Sequence, residues 1–91
     1  SEVLIMEKIT YKITDKNGIH ARPAGLIVQA AKKYKADITL TVGNKAADCK
    51  KLFQLMQLGV KIGDEITVTA EGDDGRAALA EIEATMRSAG L

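Results

Sequence analysis

The chain has 91 residues, 46% of them hydrophobic and 27% charged, enough for one core in one small domain. Thirteen basic residues stand against twelve acidic ones, a net charge of +1, so no overall field favours nucleic acid or a membrane surface. A single cysteine, Cys49, excludes an internal disulfide framework and fits a reducing compartment. Residues 1–91 are therefore expected to form one cytoplasmic domain; the chain is also expected to be a monomer.

The N-terminal run Val3-Leu4-Ile5-Met6 is too short and too poorly flanked for a signal peptide or a spanning helix, and no membrane insertion is expected. Lys8 to Ile13 alternates, with Ile9, Tyr11 and Ile13 on one side, and predicts a strand with one buried face. Asp15 to Gly18 is a turn rich in Asp, Asn and Gly. From Arg22 to Tyr34 the period becomes helical: Leu26, Ile27, Ala30, Ala31 and Tyr34 share a face, and Lys32, Lys33 and Lys35 form a solvated C-terminal end. Asp37 to Val42 is a second strand with Ile38, Leu40 and Val42 inward. Gly43-Asn44 turns the chain into a short strand near Ala46 to Cys49. Glu65 to Ala70 is the fourth strand, with Ile66, Val68 and Ala70 inward. A last helix runs from about Asp74 to Ser88 through Leu79, Ile82 and Met86; Asp73-Asp74 reads as its N-terminal cap.

Between Lys51 and Leu58 a short helix carries Leu52, Phe53, Leu55, Met56 and Leu58, more apolar residues than one face of two turns can hold. Leu55 and Leu58 are expected in the core. Leu52, Phe53 and Met56 then remain partly outside as an apolar docking patch, and a flexible methionine beside an aromatic suits a surface that meets several partners. The alternative is a small buried helix. The element order is β-α-β-β-α-β-α, and the outward strand positions are threonine-rich (Thr10, Thr39, Thr41, Thr67, Thr69). One face of an antiparallel sheet should thus be solvated and all three helices should cover the other, a two-layer α+β domain.

The stretch Asn17-Gly18-Ile19-His20-Ala21-Arg22-Pro23-Ala24-Gly25 holds the only histidine and the only proline. Proline is tolerated in a first helical turn, where backbone N–H groups have no intrahelical partner. A helix starting near Ala21 or Arg22 would set free N–H groups and a positive dipole end beside His20. No Ser, Thr, Asp or Asn stands just before the proline to occupy those donors, so they remain open to an anion. An imidazole, a fixed cation and unpartnered N–H groups together form a nest for a transient phosphohistidine. A lone histidine at a strand-to-helix junction is otherwise most often a surface or capping residue, and Arg22 alone a solvated charge.

The loop Gly-Ile-His-Ala-Arg-Pro-Ala after the first strand resembles the active centre of the HPr family, the histidine phosphocarriers of the bacterial sugar phosphotransferase system. Lys50-Lys51-Leu52-Phe53-Gln54-Leu55-Met56-Gln57-Leu58-Gly59 is similar to the family's second-helix region in pattern and in spacing from the histidine. The resemblance runs from about Glu7 to Leu91. It implies an open-faced β-sandwich of four antiparallel strands and three helices, in the order read above. It also implies that His20 accepts a phosphoryl group on Nδ1 from a phosphohistidine of Enzyme I and donates it to the IIA domain of a sugar permease. Arg22 would balance the phosphate charge, the backbone N–H groups of Ala21, Arg22 and Ala24 would hold its oxygens, and Leu52, Phe53 and Met56 would meet the partners. Imidazole suits a relay, being neutral near pH 7 and leaving a reactive product, and loose in-line transfer asks mainly for positioning and charge neutralisation.

One position departs from the pattern. Many Gram-positive members carry a regulatory serine at the start of the second helix, where this chain has Lys51, which has no hydroxyl to phosphorylate. The departure leaves open a specialised paralogue, such as a nitrogen-related phosphocarrier or that of a dihydroxyacetone kinase system, or a regulatory module that binds without relaying phosphate. An RNA-binding α+β domain would need aromatics on the open sheet face and a basic stripe; Tyr11, Tyr34 and Phe53 are the only aromatics. No paired base, metal-ligand cluster or nucleotide loop accompanies His20, so a carrier without metal or cofactor is expected, not a self-contained enzyme. Cys49 reads as a small half-buried hydrophobe.

Overall fold

The computed structural model describes residues 6–91; Val3, Leu4 and Ile5 of the N-terminal apolar run lie outside the described residues. Its elements follow the expected order: β1 (Met6–Lys12), α1 (Ala21–Ala31), β2 (Asp37–Val42), β3 (Lys45–Asp48), α2 (Leu52–Gln57), β4 (Glu65–Glu71) and α3 (Gly75–Ser88). The strands form one antiparallel sheet in the order β1-β4-β2-β3. This is an open-faced α+β sandwich. The alternation read in the sequence sets its two faces: Ile38, Leu40, Ile66, Val68 and Ala70 are buried and join Ile27, Ala31, Ile82 and Met86 in one core. On the opposite face the register aligns Thr10, Thr67 and Thr41 in one row across three strands, with Thr69 and Thr39 paired in the next. Cross-strand neighbours shield one another, so Thr39, Thr41, Thr67 and Thr69 are half-buried rather than fully solvated.

Several local readings need correction. α1 ends at Ala31, not Tyr34. The Lys32 N–H closes the last α-turn on the Val28 carbonyl, and the next two bonds, Lys33 to Ala30 and Tyr34 to Ala31, are of the tighter i→i−3 kind that commonly ends a helix. Lys50 Nζ then donates to the Tyr34 carbonyl at 2.7 Å, so a lysine from another element takes an acceptor that a longer helix would have used. Leu26 is 37% exposed and Val28 is buried instead. The inner stripe runs Pro23, Ala24, Ile27, Ala30 and Ala31, and Leu26 lies about 100° off Ile27 around the helix axis.

Cys49 lies just past β3 and is fully buried rather than half-buried, its N–H donating to the Ile38 carbonyl at 2.9 Å. Burial pushes its thiol up to about 12, with the neighbouring Asp48 charge adding to the shift. At that value the thiol stays neutral and inert. Asp73-Asp74 was expected to cap α3, and Asp74 does occupy the N-cap position, but it makes no side-chain cap hydrogen bond there. Its carboxylate accepts instead from the N–H groups of Lys35 and Ala36. Lys33 likewise is not simply solvated. Its Nζ lies 2.6 Å from Glu81, whose other oxygen accepts from the Tyr34 hydroxyl at 2.6 Å, which joins the end of α1 to α3.

Candidate functional site

The β1–α1 loop holds His20 in place through its backbone. The carbonyl of Leu91 accepts from the Thr14 and Asp15 N–H groups and from Thr14 Oγ1. The Asp15 carbonyl accepts the Gly18 N–H at 2.9 Å, and Asp15 Oδ1 accepts the Asn17 N–H at 2.9 Å, a closed Asx-type turn. Gly18 follows at φ +61, and a Cβ there would stand 2.0 Å from the Val60 carbonyl oxygen. Only glycine allows both the left-handed backbone and that approach. The Ile19 N–H then donates to the same Val60 carbonyl, and Ile19 is buried. The loop is thereby pinned on both sides, and the next residue emerges at the surface.

That residue is His20. It is the N-cap of α1, with an extended backbone and no side-chain cap bond, and its side chain is 43% exposed. Pro23 sits in the first turn, buried, where it displaces no helical hydrogen bond. The sequence singled out the N–H groups of Ala21, Arg22 and Ala24. The structure separates them: the Ala24 N–H donates to the His20 carbonyl at 3.0 Å as the first helical bond, so that donor is engaged. Among the described residues no protein group accepts from the N–H of Ala21 or Arg22. Arg22 is exposed and makes no ion pair among the described residues. An exposed imidazole, a free guanidinium and two unpartnered N–H groups at a helix's positive end can bind and neutralise a phosphoryl group.

One neighbour of the imidazole was not singled out in the sequence. His20 Nε2 lies 3.7 Å from Asp15 Oδ2. Asp15 read only as a turn residue, and the sole hint of more was a carboxylate five positions before a histidine across a glycine turn.

The second helix divides its apolar residues as expected. Leu55 and Leu58 are buried, Leu52 is half-buried against the core, and Phe53 and Met56 are 76% and 38% exposed. Leu26 and Ile62 are further exposed apolar residues that the sequence reading did not place outside. Lys51 is the exposed N-cap of α2. With Lys32, Lys50, Leu52 and Phe53 it lines an open groove of about 630 Å³. Among the described residues no group of three or more His, Cys, Asp or Glu could hold a metal, and no helix is long and apolar enough to cross a membrane.

The loop, the helix start and the sheet have counterparts in known proteins. The chain is 38% identical over 81 residues to the phosphocarrier protein HPr of Mycoplasma capricolum, a match covering 89% of this chain and 91% of that protein. A solved mycoplasma histidine-containing phosphocarrier protein superposes with a TM-score of 0.92 at 36% identity, over 93% of this chain and 97% of its own. An HPr dimer from Thermoanaerobacter tengcongensis matches with a TM-score of 0.74, also at 36% identity, over 91% and 95% of the two chains. Residues 7–88, from the first strand to the end of the last helix, fit the family model described as the PTS HPr component phosphorylation site; the chain belongs to the HPr family of phosphocarriers.

Proposed function

We propose that this chain relays phosphoryl groups through His20, taking them on Nδ1 from phospho-Enzyme I and passing them to IIA domains of sugar permeases. The observation that carries the reading is the position of His20: exposed, at the N-cap of α1, next to the free N–H groups of Ala21 and Arg22. Those two donors hold phosphate oxygens, while Ala24 secures the first helical turn. The Arg22 guanidinium offsets the phosphate charge without enclosing it, so the group stays transferable. Phe53 and Met56, with the outer edge of Leu52, form the apolar surface against which donor and acceptor dock in turn. At position 51 the family's regulatory serine is absent, so serine phosphorylation does not gate this surface. The whole of residues 1–91 acts as one domain and as a monomer, which sedimentation of the free protein tests.

Incubation with Enzyme I, phosphoenolpyruvate and Mg²⁺ should raise the intact mass by one phosphate, about 80 Da, in a linkage lost in mild acid and stable in alkali. His20→Ala should abolish the gain. A His20→Ala protein that still takes up phosphate would overturn the assignment.

A further inference from the structure

We propose that Asp15 is a positioning residue for His20: its Oδ2 holds the proton on Nε2, so that Nδ1 keeps the lone pair that attacks phosphorus. This rests on the phosphocarrier reading above. The carboxylate is divided between two tasks. Oδ1 accepts the Asn17 N–H and closes the turn, whereas Oδ2 accepts no hydrogen bond among the described residues and stands 3.7 Å from Nε2. The group has little freedom to turn away. Its own N–H donates to the Leu91 carbonyl, its carbonyl accepts from Gly18, and its side chain is only 20% exposed. A separation of 3.7 Å is longer than a hydrogen bond and within ion-pair reach; such contacts tighten when charge develops on the partner.

The charge does develop. In the accepting step the Nδ1 lone pair forms the new N–P bond as the donor's N–P bond breaks and its electron pair returns to the donor imidazole. The Nε2 proton stays in place, so the ring of His20 becomes a phosphoimidazolium, a cation facing Asp15. In the donating step an acceptor nucleophile takes the phosphorus, the Nδ1–P electron pair returns to the ring, and a neutral Nε2–H imidazole is restored. Loss of the Nε2 proton midway would leave an anionic imidazolate as leaving group and stop the relay. The ring nitrogens point away from one another, so directing Nε2 at Asp15 keeps Nδ1 and its phosphoryl group clear of the carboxylate. The other charged residues in the loop and on the bordering elements are Lys16 next to Asp15, Lys12 at the end of β1, Arg22 in the first turn of α1, and Lys61 and Asp64 in the α2–β4 connection behind Gly18. Among the described residues Asp15 is the carboxylate within 4 Å of an imidazole nitrogen.

The test uses the full chain phosphorylated chemically with phosphoramidate, which needs no Enzyme I, and reads the ¹⁵N shift of Nε2 and the ³¹P signal at one fixed pH in the mildly alkaline range. Asp15→Asn keeps an oxygen for the Asn17 N–H and removes the charge; Asn17→Ala trims an exposed side chain of the same turn, keeps its backbone N–H and leaves the charge. In Asp15→Asn the ratio of protonated to unprotonated phosphoimidazole should fall about two- to fivefold, the size expected for a partly exposed ion pair. Transfer to an acceptor imidazole should slow by a similar factor, and Asn17→Ala should match the wild type in both. An unchanged Nε2 signal in Asp15→Asn overturns the inference, and so does an equal change in Asn17→Ala, which would make loop geometry the cause. If the wild type takes phosphate from phosphoramidate but not from Enzyme I, the relay partners are wrong, and the role of Asp15 is still decided by the same spectra.

Discussion

The carboxylate of Asp74 accepts the backbone N–H of Lys35 at 2.7 Å, and its second oxygen accepts that of Ala36 at 2.9 Å. A residue at the head of α3 thus completes the connection between α1 and β2. The alignment lets the turn before α3 press on the same place, since a Cβ on Gly72 would stand 3.0 Å from the Ala36 Cα. Hydrogen bonding by the Lys35 N–H holds the Asp74 carboxyl below its ordinary value; burial opposes it, and the Ala36 N–H adds to the lowering.

That shift has a sign in stability. A carboxylate whose folded value is depressed contributes stability fully above its unfolded value, about 3.9, and loses it as pH falls through the lower folded value. Asp74→Asn offers one carbonyl oxygen to two donors, so it should be less stable than the wild type at pH 6. The difference should shrink as pH drops below about 3.9. Thermal midpoints of both proteins between pH 2 and pH 7 test this; a gap that is constant with pH would assign the loss to packing, not to charge.

Gly18→Ala should be among the most damaging single-methyl additions in the chain. It forces an L-residue to φ +61 and sets a methyl 2.0 Å from the Val60 oxygen, so a loss of about 2 kcal/mol or more is expected. Gly43→Ala, at φ +59 with open space around it, should cost only about 1 kcal/mol. Denaturant unfolding separates the two cases. Because Gly18 carries the approach to His20, phosphoryl transfer should fall in Gly18→Ala and persist in Gly43→Ala.

Arg22→Ala should leave the fold intact, since the side chain is exposed and unpaired among the described residues. Transfer through His20 should drop by about 100-fold, the lower end of what a lost charge-stabilising donor costs. Affinity of the unphosphorylated protein for Enzyme I should change much less. Rapid-quench transfer and calorimetric binding measure the two quantities; parallel losses would make Arg22 a docking residue.

The strands were legible wherever one face alone is buried. Asp37 to Val42 alternates without interruption, and its bounds are those of β2. The start of α1 was legible for a similar reason, because Pro23 fits only a first turn. What escaped depended on partners far along the chain. Tyr34 has the spacing of a helical residue, yet α1 ends before it, with Lys50 on its carbonyl and Glu81 on its hydroxyl. The Ala24 N–H does not belong with the free donors because the first helical bond is set by where the N-cap falls, and a shift of one residue changes which groups are engaged. The approach of Asp15 to His20 follows from the closure of Gly18 on Val60, a contact 42 positions apart in sequence that no local pattern reveals.

On α2, neighbouring apolar residues differ sharply in exposure. Phe53→Ala removes a ring that is 76% exposed, so stability should change by no more than about 0.5 kcal/mol. Leu55→Ala, at a fully buried position, should cost about 2–5 kcal/mol. If the Phe53 ring anchors Enzyme I, its loss should weaken that binding by about 1–3 kcal/mol. Calorimetry showing unaltered affinity would remove Phe53 from the docking surface.

Lys51 would give the proposed docking surface its sign. It is the exposed N-cap of α2, one residue from Leu52 and beside the groove that Lys32, Lys50 and Phe53 also line, with Asp48 the one carboxylate among its lining residues. Lys50 is committed to the Tyr34 carbonyl, so Lys32 and Lys51 are the cations of that groove without such a bond among the described residues. A phosphoserine at position 51 would set a dianion beside an apolar patch and oppose an acidic partner, whereas lysine attracts one at all times. Lys51→Glu should therefore slow association with Enzyme I by about three- to tenfold at low salt. The difference should narrow as the Debye length falls to about 8 Å near physiological ionic strength. Dissociation should change little, because a rim charge acts mainly on encounter. Stopped-flow association over a salt series is the deciding measurement: coincident rates for Lys51→Glu and wild type at every salt concentration would place position 51 outside the contact and shift the docking surface toward Met56.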